Sequence, residues 1–173
     1  MLPLLLAVVA LNPIGHINDF AHLLQPETVT QLEQSLTSFE AQTGVEVAVV
    51  TIDTHGTDET IETYAEKLFQ KWGIGKEKED NGLLLLIAKD DREMRIEVGY
   101  GLEPIITDIE SGHIIADILT PAFKQEKYDE GVVAAVERIT SDIKAGGAPE
   151  VSSKPKIPFS GDLLYIAFFF LIF

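Results

Sequence analysis

Cysteine is absent from the 173 residues, and with it go disulfide frameworks, thiolate metal centres and cysteine nucleophiles. Basic residues are scarce: 13 Lys and Arg stand against 28 Asp and Glu, a formal charge of −15. A surface of that sign repels phosphate backbones and anionic headgroups, which argues against nucleic acid and polybasic-type membrane binding. Cations are its natural partners. The four histidines, His16, His22, His55 and His113, show neither HExxH nor any paired spacing, so a zinc hydrolase is not supported. Nor is there a GxSxG elbow or a P-loop, and Gly99-Tyr100-Gly101 lacks the third glycine and following helix of a dinucleotide site. No apolar run reaches the ~20 residues of a complete membrane span.

What is present at the ends still carries a localisation argument. Leu2 to Leu11 has the length of a signal-peptide h-region, and Val8-Val9-Ala10 places small residues where a signal peptidase reads, so residues 1–15 are expected to be a signal-like segment. Residues 146–160, rich in Gly, Pro, Ser and Lys, are expected to form a flexible tether. Residues 161–173, ending in the apolar stretch Leu163 to Phe173, are expected to begin a transmembrane helix. This organisation places a domain at 16–145 on the extracytoplasmic side of a membrane, either periplasmic or extracellular. Its soluble part is expected to be monomeric.

Within that domain the periodicity alternates between helix and strand. Val29, Leu32, Leu36 and Phe39 recur at spacings of three and four between Pro26 and Gly44, which predicts an amphipathic helix, and Val45 to Ile52 follows as a buried strand. A second helix is predicted from about Asp58 to Trp72, with Thr57 or Asp58 as cap and Gly73 as terminator. Thr107 and Glu110 have capping-box spacing for a third helix to about Thr120, and Val132, Val136, Ile139 and Ile143 mark a fourth. The fold class is α/β: a compact sandwich whose mixed sheet has a parallel crossover and a β-hairpin, with helices on both faces.

The hairpin is the most informative stretch. Leu83 to Ala88 and Met94 to Val98 are two β-rich runs around the charged turn Lys89-Asp90-Asp91-Arg92. A loop of Asp90 and Asp91 sets Asp80 opposite Gly101; a loop of Asp90 to Glu93 sets it opposite Glu103. Either register brings Asp80 beside Gly99-Tyr100-Gly101-Leu102-Glu103, where the glycines permit positive φ and close backbone approach while Asp80 and Glu103 supply hard oxygen ligands suited to Ca²⁺ or Mg²⁺. The topology also creates a second acidic group, Asp53, Asp90 and Asp91, at the carboxyl edge of the parallel pair, where open α/β sheets usually bind ligands. Asp80, Glu103 and Asp108 belong to the opposite edge. Chain physics alone leaves both open.

Several motifs together resemble the TPM-domain family, which includes a plant thylakoid-lumen acid phosphatase, a cyanobacterial photosystem II repair factor and membrane-anchored bacterial proteins. They are Asn18-Asp19-Phe20-Ala21 with Leu23-Leu24, Glu40 to Thr51, Tyr64-Ala65, Lys71 to Gly75, Asp80-Asn81-Gly82, Gly99 to Glu103 and Thr107-Asp108. Pro104 departs from the pattern, standing where a small residue is expected after the Glu. The resemblance favours the Asp80 group and implies metal ligands at Asp19, Asp80, Glu103 and Asp108, with Ca²⁺ as the ion and Mg²⁺ as its alternative. Two functions follow as expectations. One is a cation-binding module, held to a membrane by the C-terminal helix, that interacts with or maintains membrane protein complexes. The other is a weak metal-assisted phosphatase in which Asp80 or Asp108 orients or deprotonates water.

Overall fold

The computed structural model describes residues 11–75 and 79–147. The expected signal cleavage region up to Ala10, the greater part of the tether and the whole apolar tail lie outside them. Among the described residues no helix is long and apolar enough to cross a membrane.

Four strands form one sheet in the order β1-β2-β3-β4, with β1 at Ile17–Asp19, β2 at Glu46–Ile52, β3 at Gly82–Ala88 and β4 at Glu93–Val98. β1, β2 and β3 run parallel, and β4 turns back antiparallel on β3. The α/β class, the parallel crossover and the hairpin are therefore present as expected. β1 is an addition that sequence reading did not anticipate, since three residues are too few to display a period of two.

Helix α1 occupies Pro26–Thr43, started by proline at its first turn and closed by Gly44 at φ 73°, whose N–H returns to the Glu40 carbonyl at 2.7 Å. Helix α2, Ile61–Trp72, begins later than expected because Thr60, not Thr57 or Asp58, accepts from the Thr63 N–H, and Gly73 ends it at φ 64°. The predicted third helix extends beyond Thr120 and is not uniform. It consists of α3 (Asp108–His113), a π-helical turn (Ile114–Leu119) and α4 (Thr120–Lys124). Pro121 supplies the reason: it cannot donate, and its ring would strike the carbonyl four residues back, so the helix widens before it and the Thr120 N–H reaches Ile115, five residues away. Helix α5 is Tyr128–Ala145.

The strands alternate their side chains between two cores. Val47, Val49, Leu83, Leu85 and Ile87 meet α1, α5 and the helical turns after Thr107; Ala48, Val50, Leu84 and Leu86 meet α2. Helices thus cover both faces. Because β1, β2 and β3 advance in one direction while α1 and α2 lie on opposite faces, the two crossovers have opposite hands, and one of them is the rare left-handed kind. Leu83 to Leu86 are each 0% exposed, and full burial of four leucines contributes roughly 6–12 kcal/mol of gross hydrophobic stabilisation. The interior is dominated by apolar side chains, with Asn18 and Thr51 among the few polar residues that are fully buried.

Candidate functional site

The amino ends of the parallel strands and the far end of β4 share one edge of the sheet. Pairing of Leu83 with Val98, continued outward, sets Asp80 opposite Gly101, which is the register of an Asp90-Asp91-centred turn. Beyond the strands two backbone bonds hold the edge shut: the Gly99 N–H donates to Gly82 at 2.8 Å and the Gly101 N–H to Asp80 at 3.0 Å. A Cβ at residue 99 would lie 2.2 Å from the Asp80 carbonyl oxygen, and one at residue 101 would lie 2.1 Å from that of Glu79. These glycines serve close approach alone. Neither has a positive φ, contrary to expectation; the left-handed residue here is Asp80, at φ 43°.

Asp80, Glu103 and Asp108 are all exposed, and none of their carboxylates has a hydrogen-bond or ion-pair partner among the described residues. Asp108 is not the helix cap. Thr107 accepts from the Glu110 N–H at 3.2 Å, and the Glu110 carboxylate pairs with Arg138 instead of completing a capping box. A cavity of about 480 Å³ is lined by Glu103, Asp108, Thr107 and Ile106, with Arg95 and Glu97 on the β4 side. Arg95 is paired with Glu97 at 3.1 Å, so its charge is compensated locally. Asp80 stands at the same edge but not on this wall.

Ca²⁺ takes six to eight oxygens, whereas Mg²⁺ retains several waters and accepts one or two carboxylates. Glu103 and Asp108 fit a hydrated hard cation chemically, because their carboxylates have no competing partner. A closed cage is another matter. Among the described residues no three carboxylate or imidazole groups converge on one point. Of the three carboxylates, Glu103 and Asp108 share the cavity wall and Asp80 does not.

Asp19 lies elsewhere. It pairs in register with Thr51, which pairs with Ile87, so it belongs to the carboxyl edge, on the order of 23 Å from Asp80 by strand rise. Its carboxylate is already engaged: Oδ1 accepts from the Thr51 hydroxyl at 2.5 Å and the Leu23 N–H at 2.9 Å, and Oδ2 from the Leu24 N–H at 3.0 Å. It ties down the turn that follows β1. Asp91 does the same for the loop after β2, accepting from the Thr54 hydroxyl at 2.9 Å and the His55 N–H at 2.8 Å. Asp53 pairs with Lys89 at 3.6 Å, and its carbonyl accepts from the Asp90 N–H. Lys76 and Lys78, the cations nearest Asp80 in sequence, lie outside the described residues.

Two histidines that looked isolated in sequence are not. His16 bridges Glu33 and Glu40 through both ring nitrogens at 3.0 Å, and Glu33 also accepts the His16 and Ile17 N–H groups. Burial acts to lower the His16 pKa, but the bonds and charges of Glu33 and Glu40 outweigh it and the net shift is upward. His55 bonds Glu93 at 2.8 Å, and its Nδ1 is buried without a partner among the described residues. The partners of His16 lie 17 and 24 positions away, a distance at which no local spacing signals them.

Two exposed large hydrophobics flank Glu103 and Asp108 in sequence: Tyr100 is 77% exposed and Ile109 74%. A third, Ile14 at 83%, precedes β1, at the far side of the sheet from β4.

The TPM domain model matches residues 17–142. A solution structure of the N-terminal domain of a protein from P. gingivalis is 33% identical, with a TM-score of 0.71, over 81% of this chain and 88% of that one. The BA42 protein of the psychrophilic bacterium Bizionia argentinensis is 19% identical over 75% of this chain and 86% of its own, at a TM-score of 0.62. The N-terminal domain of the cg2496 protein of Corynebacterium glutamicum is 20% identical over 84% and 89%, at 0.58, and these last two bear on the fold alone. No curated protein matches the chain.

Proposed function

This chain belongs to the TPM-domain family, and on that premise we propose that it is a Ca²⁺-responsive docking module, tethered by its C-terminal segment to the outer side of a membrane and acting on membrane protein complexes. The observation that supports this function is a coincidence at the amino edge: Asp80, Glu103 and Asp108, whose carboxylates have no partner among the described residues, share that edge with the exposed hydrophobics Tyr100 and Ile109. Carboxylates left unpaired in one place repel one another, and a divalent cation relieves that repulsion. With the charge neutralised, the edge presents an apolar rim around a bound ion. A partner can then add its own oxygen to the ion's incomplete shell and cover Tyr100 and Ile109.

The alternative, metal-assisted phosphatase activity, requires phosphate-binding cations beside the metal. At the described amino edge the cation on the cavity wall, Arg95, is compensated by Glu97. A formal charge of −15 also slows a phosphate dianion's approach.

Site-specific photo-crosslinking in cells tests the proposal. With the photoreactive residue at Tyr100 of the full chain, adducts to membrane proteins should form and disappear on Ca²⁺ chelation, whereas a probe at Asp53 on the opposite edge should give none. Equal adduct formation from both edges, or turnover of a phosphomonoester by purified protein that Asp80→Ala abolishes, would contradict it.

A further inference from the structure

The carboxyl edge holds a cavity that the proposed docking function does not use. About 410 Å³ in volume, it lies between the β3–β4 turn and the α4–α5 junction, with Ile87, Ala88, Met94, Phe123 and Tyr128 as its apolar side. That volume falls in the range of small-molecule sites, and the place, outside the carboxyl end of β3, is where open α/β sheets bind ligands. Phe123 and Tyr128 pack edge to face at 5.1 Å, which fixes the aromatic wall.

Its cations set it apart from the rest of the surface. Among the described Lys and Arg, Lys67, Lys89, Arg95, Lys127 and Arg138 have carboxylate partners, Lys71 donates to the Leu11 carbonyl, and Lys144 sits over the Phe39 ring. The side chains of Arg92 and Lys124 have none of these, and both line this cavity. In a chain with 28 acidic residues, two uncompensated cations on one small cavity are a local reversal of sign. Both rims are held in bonded turns: Arg92 has φ 59° with its N–H on Lys89, and Glu126, the opposing carboxylate on the wall, has φ 58° with its N–H on Phe123. Glu93, also on the wall, is occupied by His55.

We infer that this cavity binds a small organic anion: a phosphonate, phosphate or carboxylate head on Arg92 and Lys124, and a compact apolar body against Met94, Phe123 and Tyr128. A hydroxyl or ammonium on the ligand would meet Glu126. Arg supplies a planar fork to such a head and Lys a point charge, so together they accept a tetrahedral or planar anion.

The test is an NMR titration of the full chain in neutral detergent with phenylphosphonate, inorganic phosphate and vesicles containing an anionic phospholipid. Phenylphosphonate should saturate and shift the amides of Arg92, Thr120, Lys124 and Tyr128, and phosphate, lacking the ring, should bind about tenfold more weakly. The Arg92→Gln, Lys124→Gln double variant should lose at least tenfold in affinity at an unchanged unfolding midpoint, Arg92→Lys should retain most of it, and Lys67→Gln should leave it unaltered. Asp80→Asn should also leave it unaltered, which separates this site from the amino-edge cation. Wild-type affinity in the double variant, equal binding of phosphate and phenylphosphonate, or a response to vesicles alone would overturn the inference.

Discussion

Substituting Gly101 by alanine forces a choice between the backbone and the added methyl. The new carbon would lie 2.1 Å from the Glu79 carbonyl oxygen, against an ordinary non-bonded separation of about 3.5 Å, so the two segments must part by roughly 1 Å or more. Overpacking of this kind costs about 1–3 kcal/mol, and the Gly101 N–H to Asp80 bond, worth about 1 kcal/mol net, stretches with it. The expected loss is therefore about 2–4 kcal/mol of a total that is typically 5–15. Gly112 provides the internal control: it lies within α3, and a Cβ there meets nothing within 4 Å. Gly112→Ala should be neutral or stabilising by up to about 1 kcal/mol, since alanine surrenders less backbone entropy in a helix. Urea unfolding of both variants at one pH, with equal m-values, reads the difference directly. The displacement should also weaken Ca²⁺ binding at the amino edge, because Asp80 moves away from the loop that carries Glu103. If Gly101→Ala proves as stable as Gly112→Ala, the close approach at this edge does not exist.

The His16 clamp makes stability depend on pH with a defined sign. The His16 pKa is raised in the fold, so its contribution is complete below the unfolded value of 6.5 and is lost as pH rises through the folded value. For Glu33, burial opposes but the bonds from His16 and Ile17 prevail and lower its pKa, so its contribution is complete above 4.5 and lost on acidification. His16→Gln should flatten the decline in unfolding free energy between about pH 6 and 8, by about 1–2 kcal/mol for partly exposed charge-assisted bonds; a profile parallel to wild type contradicts the clamp. Asp19→Asn removes a carboxylate that accepts three hydrogen bonds and should destabilise by about 1.5–3 kcal/mol in thermal or urea unfolding. Because Asp19 lies at the carboxyl edge, the same variant should keep wild-type Ca²⁺ affinity, and a large loss of affinity would return Asp19 to the ligand set.

The sheet was largely readable from the chain because its evidence is local. Leu83 to Ala88 and Met94 to Val98 flank a turn of charged residues, and counting outward from Asp90-Asp91 yields the observed opposition of Asp80 and Gly101. What escaped reading depends on contacts distant in sequence. Asn18-Asp19 forms a strand only because β2 offers it a parallel edge, and the position of Asp19 at the carboxyl edge follows from that pairing. Thr57, Asp58 and Thr60 are all acceptable caps by residue type; the choice falls on Thr60 because it alone accepts from a first-turn N–H, that of Thr63. Pro121 was visible, but whether it would end the helix or be absorbed by a wider turn depends on the packing of Ile114 and Leu119 into the core. Arg95 and Glu97, two apart on β4, share a face by strand period, but the absence of partners for Arg92 and Lys124 among the described residues is a property of the assembled surface.

Residue-resolved NMR titration with Ca²⁺ tests the central claim most directly. Exposed carboxylates with an incomplete shell imply weak binding, in the range of about 10⁻⁴–10⁻³ M. The amides from Gly99 to Asp108, together with those of Asp80 and Asn81, should shift along one saturable curve, and Asp80→Asn, Glu103→Gln or Asp108→Asn should each weaken it, by about tenfold for either wall residue. Wild-type affinity in the Asp80→Asn, Asp108→Asn double variant, or shifts confined to Asp19 and the Asp53 to Asp91 edge, would contradict the assignment of the amino edge as the cation site.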